Sequence, residues 1–97
     1  MNPLICAAIN ERKLLEFSYD GGLRIVEPHC YGITTAGSPG LRGFQVRGDS
    51  QSGGIPDWRL FDLSKATGLK VLAETFTSPR PGYKKGDRGM SSIYCEL

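Results

Sequence analysis

The chain contains a single histidine, His29, which follows Glu27 and Pro28 and directly precedes Cys30. A histidine beside a cysteine offers a base next to a thiol, which is one arrangement for nucleophilic catalysis. Neighbouring residues of a strand point to opposite faces, so these two side chains cannot pair unless the backbone bends. We therefore predict no catalytic residues, and a small hydrolase using His29 and Cys30 is the weakest hypothesis.

The three cysteines, Cys6, Cys30 and Cys95, lie far apart and form no C-x-x-C pair. Together with one histidine they do not supply the converging ligands of a zinc site, so we expect no metal. Their odd number and wide spacing argue against a disulfide scaffold and favour a reducing compartment, the cytoplasm. The sequence has no G-x-x-x-x-G-K-[ST] loop and no G-x-G-x-x-G motif, and no cofactor is predicted.

Binding is the chemistry that remains, because arginines lie on predicted strands among aromatic residues. Arginine makes bidentate contacts with phosphate and stacks on bases, so a face that carries both kinds of residue can bind single-stranded nucleic acid or a nucleotide. The alternative is that the aromatics form the core and the arginines pair with nearby carboxylates. The arginines are Arg24, Arg42, Arg47 and Arg59, and the aromatics are Phe17, Tyr19, Tyr31, Phe44, Trp58 and Phe61.

The elements that would position these residues are short. The length of 97 residues fits one domain, and thirteen glycines and six prolines favour β structure with many turns. Asn2 as a cap and Pro3 as the first helical residue predict a helix over about residues 3–12. Later segments alternate with period two and predict strands, with a poorly ordered loop over residues 48–54. The predicted strands cover residues 13–19, 23–27, 31–35, 41–47, 58–63 and 69–73.

Charge is uneven along the chain. Residues 1–74 balance their acidic and basic residues, so the net charge of +2 comes from residues 75–97. We expect residues 84–97 to form a basic, flexible tail. The N-terminus lacks the basic start of a signal peptide, and no run is long enough to cross a membrane, so no membrane partner is predicted.

The order of several short motifs resembles the WYL domain, a ligand-sensing module of bacterial and phage regulators. These motifs are LLEFSYDGG, LRIVEPHCYGIT, LRGFQV, WRLFDLSKATGLKVL and ETFTSPRPGY, and the resemblance covers residues 4 to about 83. The family's own tripeptide is replaced here by Pro39-Gly40-Leu41, which keeps only the leucine.

The resemblance implies a mainly β (α+β) fold, in which a short N-terminal helix precedes a five-stranded Sm-like (SH3-like) small β-barrel over residues 1–83. It implies a non-catalytic module that binds an anionic nucleotide-containing ligand, single-stranded DNA or RNA or a nucleotide, and regulates a transcription or defence system. A separate DNA-binding regulator would be its protein partner. The alternative is an Sm-like interaction module that forms homo-oligomers without nucleic acid. The implied ligand-binding residues are Tyr19, His29, Arg42 and Arg59, with Ser18 and Gln45 as weaker additions.

Overall fold

The computed structural model describes residues 1–50 and 53–97, so part of the loop predicted to be poorly ordered lies outside the described residues. Within the described ranges the chain forms one α-helix, six strands and a short 3₁₀ helix at Leu63–Lys65. No helix in these ranges is long and apolar enough to cross a membrane. The elements are α1 (Pro3–Glu11), β1 (Lys13–Tyr19), β2 (Gly22–Thr34), β3 (Pro39–Gly48), β4 (Asp57–Asp62), β5 (Ala66–Thr75) and β6 (Met90–Glu96).

Helix α1 forms where its capping residues predict it. The side chain of Asn2 accepts a hydrogen bond from the backbone N–H of Leu4, and Pro3 stands at the first helical position. Arg12 ends the helix in the left-handed conformation, with φ of 53°. The helix is too short to be stable alone, so it depends on the face that it packs against the sheet, made by Ile5, Ala8 and Ile9.

The strands form one antiparallel sheet in the order β4-β3-β2-β1-β5, and β6 pairs with β2 beside this path. The long strand β2 has two partners along one edge, since its first half pairs with β1 and its second half with β6. The prediction of a mainly β fold with one short helix is confirmed. The sheet has six strands and is not closed, because β4 and β5 stand at the ends of the order and do not pair with each other.

The predicted flexible tail differs most from the structure. Met90–Glu96 form β6, in which Ile93 and Cys95 are half-buried while Ser92 and Tyr94 are exposed. We did not predict this strand, because the basic residues before it indicated a solvated tail. The backbone of β6 also approaches β2 closely at Gly32, where an added Cβ would collide with the carbonyl oxygen of Ser92.

A disulfide joins Cys6 of α1 to Cys95 of β6, with their Cα atoms 5.7 Å apart. The cysteine spacing argued against a disulfide scaffold, yet one disulfide forms, because packing of α1 on β6 brings together residues 89 positions apart. Disulfides are typical of oxidising environments, so the cysteine argument for a reducing compartment no longer holds. Cys30 is the free cysteine, and burial raises the pKa of its thiol to about 12.

The core lies between α1 and the face of the sheet that the helix packs against. Phe17 of β1 and Phe61 of β4 meet edge to face with ring centroids 5.0 Å apart, and Tyr19 joins them from the end of β1. These contacts connect β4, at one end of the strand order, with β1, the neighbour of β5 at the other end, although β1 and β4 do not pair through their backbones. The fully buried members of this cluster include Ile9, Leu15, Phe17, Val26 and Leu41.

Candidate functional site

A cleft of about 610 Å³ opens between β3, β4 and the connecting segment, residues 76–89, which leads from β5 into β6. We call it the basic cleft, because four cationic side chains and one carboxylate line it. Two strand residues, Arg42 and Trp58, form one wall, and a continuous stretch of the connecting segment forms the other. The lining residues are Arg42, Trp58, Gly82, Tyr83, Lys84, Lys85, Gly86, Asp87 and Arg88.

His29 attaches the connecting segment to the sheet. Its Nε2 accepts a hydrogen bond of 3.1 Å from the backbone N–H of Arg80, so Nδ1 carries the proton and donates to the carbonyl of Glu27 at 2.8 Å. The ring packs against Trp58 and Tyr83, with centroid distances of 4.6 and 5.1 Å. His29 therefore lies directly behind two aromatic residues that line the cleft.

His29 has no exposed surface, and burial lowers the pKa of its imidazole below the ordinary 6.5. Both ring nitrogens are occupied by backbone partners, so this conformation leaves no atom of the ring to contact a ligand. The geometry places the predicted ligand-binding histidine in a supporting position. In this conformation the single histidine has a structural role, because its neutral ring joins the sheet to the connecting segment.

An ion pair with a buried carboxylate and a partly exposed arginine also holds this segment. Nε and Nη2 of Arg80 donate to the two carboxylate oxygens of Glu27 at 2.7 and 2.9 Å. Glu27 is 5% exposed, and the guanidinium lies 4.7 Å from the ring centroid of Phe44. This paired geometry is the strong bidentate form of an arginine–carboxylate contact, so Arg80 serves as an anchor and not as a free cation.

Two aromatic rings, those of Trp58 and Tyr83, belong to the lining of the basic cleft. The indole N–H of Trp58 donates to the carbonyl of Pro81 at 3.0 Å, and its ring lies near parallel to Tyr83, with an interplanar angle of 24°. The hydroxyl of Tyr83 donates to the carbonyl of Leu97 at 3.1 Å, and burial raises its pKa to about 12. Both rings are thus held by backbone contacts, which suits them as platforms for stacking.

The charges in the cleft divide into one neutralised pair and three remaining cations. Nε and Nη2 of Arg42 donate to Asp87 at 2.7 and 3.3 Å, and this guanidinium lowers the pKa of the Asp87 carboxyl. The side chains of Lys84, Lys85 and Arg88 are exposed and form no ion pair within residues 1–50 and 53–97. The cleft therefore presents about three uncompensated positive charges beside two aromatic rings.

The structure does not bring the six predicted ligand-binding residues into one pocket. His29 and Arg42 lie at the basic cleft, whereas Tyr19 and Arg59 line a separate cavity of about 160 Å³. Ser18 is exposed on β1 and lines neither space. Gln45 is fully buried and donates to the carbonyls of Arg47 and Asp49, which gives it a structural position.

Several cleft residues were missed in the sequence, namely Tyr83, Lys84, Lys85 and Arg88. The signal was present, because the positive excess of the chain lies in residues 75–97. We interpreted that excess as a solvated tail. Arg80 anchors the segment through contacts with His29 and Glu27, which lie 51 and 53 positions away in the sequence. No local sequence pattern predicts contacts between residues so far apart.

Within the described ranges, no group of three or more histidine, cysteine or carboxylate side chains is placed to hold a metal ion. Comparison of the chain with protein-family models, curated proteins and solved structures found no match. The resemblance to the WYL domain therefore stays a prediction, and the site is interpreted from its geometry alone.

Proposed function

We propose that this chain is a non-catalytic sensing module that binds an anionic, nucleotide-containing ligand in the basic cleft. The observation that carries the proposal is the combination of three uncompensated cations with two fixed aromatic rings around one open cleft. Single-stranded nucleic acid is the ligand that we favour. Proteins bind it without sequence preference by placing cations along its phosphate backbone and aromatic rings against its bases.

The charges support phosphate as the anionic group. Lys84, Lys85 and Arg88 lie within five consecutive residues, so they offer cations at a spacing that successive phosphates of one strand can meet. Neutralising three phosphates releases condensed counterions, and affinity for a single strand then falls about twentyfold between 50 and 200 mM salt. Binding through aromatic contacts alone would lack this dependence.

The wider role follows from the resemblance and is part of the proposal. The open six-stranded sheet would be a variant of the Sm-like barrel of WYL domains, with the gap between β4 and β5 left unclosed. In this role, a DNA-binding regulator of a transcription or defence system would respond to the bound ligand.

The lysine pair provides the test of the cleft. In Lys84→Ala/Lys85→Ala, we expect affinity for a labelled single-stranded oligonucleotide to fall about tenfold at 50 mM salt, with a smaller slope of affinity on salt. The matched control is Lys65→Ala/Lys70→Ala, which removes the same charge from exposed positions outside the cleft. Fluorescence anisotropy measures both. Equal weakening by the two double variants would show that net charge drives binding and that the cleft is wrongly assigned.

Assembly through strand edges is the second candidate function. The outer edges of β4 and β5 pair with no other strand in the described part of the chain, and unpaired edges are sites where sheets extend into a second copy. Light scattering with and without oligonucleotide separates the two functions. A stable oligomer that forms without ligand and binds no oligonucleotide would support assembly and contradict the sensing module.

A further inference from the structure

Arg24 is a charged side chain buried without a carboxylate partner. It lies on β2, is 5% exposed, and forms no ion pair within residues 1–50 and 53–97. Its Nη2 donates to the carbonyl of Tyr19 at 3.2 Å, while its Nε is buried and has no hydrogen-bond partner. A buried charge is costly unless it is paired and hydrogen-bonded, so this guanidinium lacks a counter-anion.

A second guanidinium faces the same space. Arg24 and Arg59 both line the cavity of about 160 Å³, together with Tyr19, Ser50 and the exposed Asp20. Arg59 is held in place there, since it donates to the Ser50 hydroxyl at 3.1 Å and to the carbonyl of Gly53 at 2.7 Å. The carboxylate of Asp57 is largely exposed and pairs with Arg59 at 3.4 Å. Because it does not pair with Arg24, the charge of Arg24 stays uncompensated.

The size and lining of this cavity define the ligand class. It is an open depression, smaller than the pockets of roughly 300 Å³ or more that enclose whole drug-sized ligands, so one small group is enough to fill it. A guanidinium such as that of Arg24 is the side-chain group best suited to the oxygens of a phosphate. Arg59 adds positive charge beside it, while its own Nη atoms remain bonded to protein groups. We propose that the Arg24 cavity binds one phosphate group, as the free ion or as a monoester.

This site is distinct from the basic cleft. Trp58 lines the cleft and Arg59 lines the Arg24 cavity, and these consecutive residues of β4 direct their side chains to opposite faces of the sheet. The inference therefore does not depend on nucleic-acid binding in the cleft. Loss of oligonucleotide binding and loss of phosphate binding would be produced by different variants.

The test is a titration of the wild-type protein with inorganic phosphate, in which chloride is withdrawn to keep the ionic strength constant. A parallel titration uses ribose 5-phosphate, which separates the free ion from a monoester. NMR of ¹⁵N-labelled arginine side chains follows the Nε–H of Arg24, assigned by its absence in Arg24→Met. We expect this resonance to move saturably with at least one of the two phosphates.

Variants make the test specific. Arg24→Met is expected to weaken phosphate binding by about tenfold or more, whereas Arg88→Met, which removes an exposed arginine of the basic cleft, should leave the shift of Arg24 unchanged. If Arg24→Met does not fold, Arg24→Lys supplies the assignment, because it also lacks the guanidinium, and the wild-type titration then decides. An Arg24 resonance that neither phosphate moves, or equal phosphate affinity in Arg24→Met and wild type, would overturn the proposal.

Discussion

Reduction of the disulfide between Cys6 and Cys95 is expected to lower the free energy of unfolding by about 4 kcal/mol, because the bond closes a loop of nearly the whole chain. The bond also fastens α1 to β6, and β6 follows directly on the segment that forms the basic cleft. Urea unfolding with and without reductant measures the change. The reduced protein should unfold at a clearly lower urea concentration.

Two controls make this result specific. Cys6→Ala/Cys95→Ala should match the reduced wild type and should not respond to reductant. Alkylation of the unfolded, unreduced protein should label one thiol, Cys30, out of three cysteines. Labelling of all three, or identical urea curves with and without reductant, would show that the bond does not form.

His29→Ala is expected to lower the free energy of unfolding by about 3 kcal/mol. The substitution opens a cavity among Trp58, Phe76 and Tyr83, all of which contact the ring. It also leaves the N–H of Arg80 without the acceptor that Nε2 supplies. Urea unfolding at pH 7.5 measures the loss. A change below about 0.5 kcal/mol, as is usual for surface substitutions, would contradict the structural role of His29.

The same residue predicts a dependence of stability on pH. Burial lowers the pKa of His29 in the folded state, so the unfolded chain binds more protons once the pH falls below the ordinary value of 6.5. Stability should therefore be fully present above pH 6.5 and decline as the pH falls from there toward the folded pKa. Carboxylates with lowered pKa, such as Asp87, contribute in a separate window below about pH 5.

His29→Phe isolates this contribution, because it keeps an aromatic ring and removes the one histidine that titrates. Between pH 6.5 and 5 the variant should lose the downward slope that the wild type shows. Unfolding free energies measured across this range at constant ionic strength give the comparison. Parallel curves for the two proteins would mean that His29 ionises equally well in the folded and unfolded states.

Local signals in the sequence were sufficient for much of the fold. The cap at Asn2 and the proline that follows define the start of α1, and Asp20-Gly21-Gly22 marks the turn between β1 and β2. The prediction of two separate strands over residues 23–27 and 31–35 is wrong, because β2 is continuous through Pro28 with only a register shift against β3. Features that depend on distant pairing, β6 and the disulfide of Cys95, had no local pattern strong enough to predict them.

The site was predictable in its chemistry and not in its arrangement. Arginine and aromatic residues on strands indicated anion binding, and Arg42 does line the basic cleft. Which cation remains uncompensated depends on tertiary contacts, since Asp87 neutralises Arg42 from 45 positions away. The burial of His29 likewise depends on Phe76 and Tyr83, which only the folded chain places around it.

Trp58 provides the most direct measurement of the central claim, because it is the only tryptophan and it lines the basic cleft. Its fluorescence should be recorded while single-stranded DNA and RNA oligonucleotides are titrated separately at 50 and 200 mM salt. We expect saturable quenching by at least one of them, with an affinity about twentyfold lower at the higher salt. Unchanged Trp58 emission with both oligonucleotides at 50 mM salt would contradict ligand binding in the basic cleft.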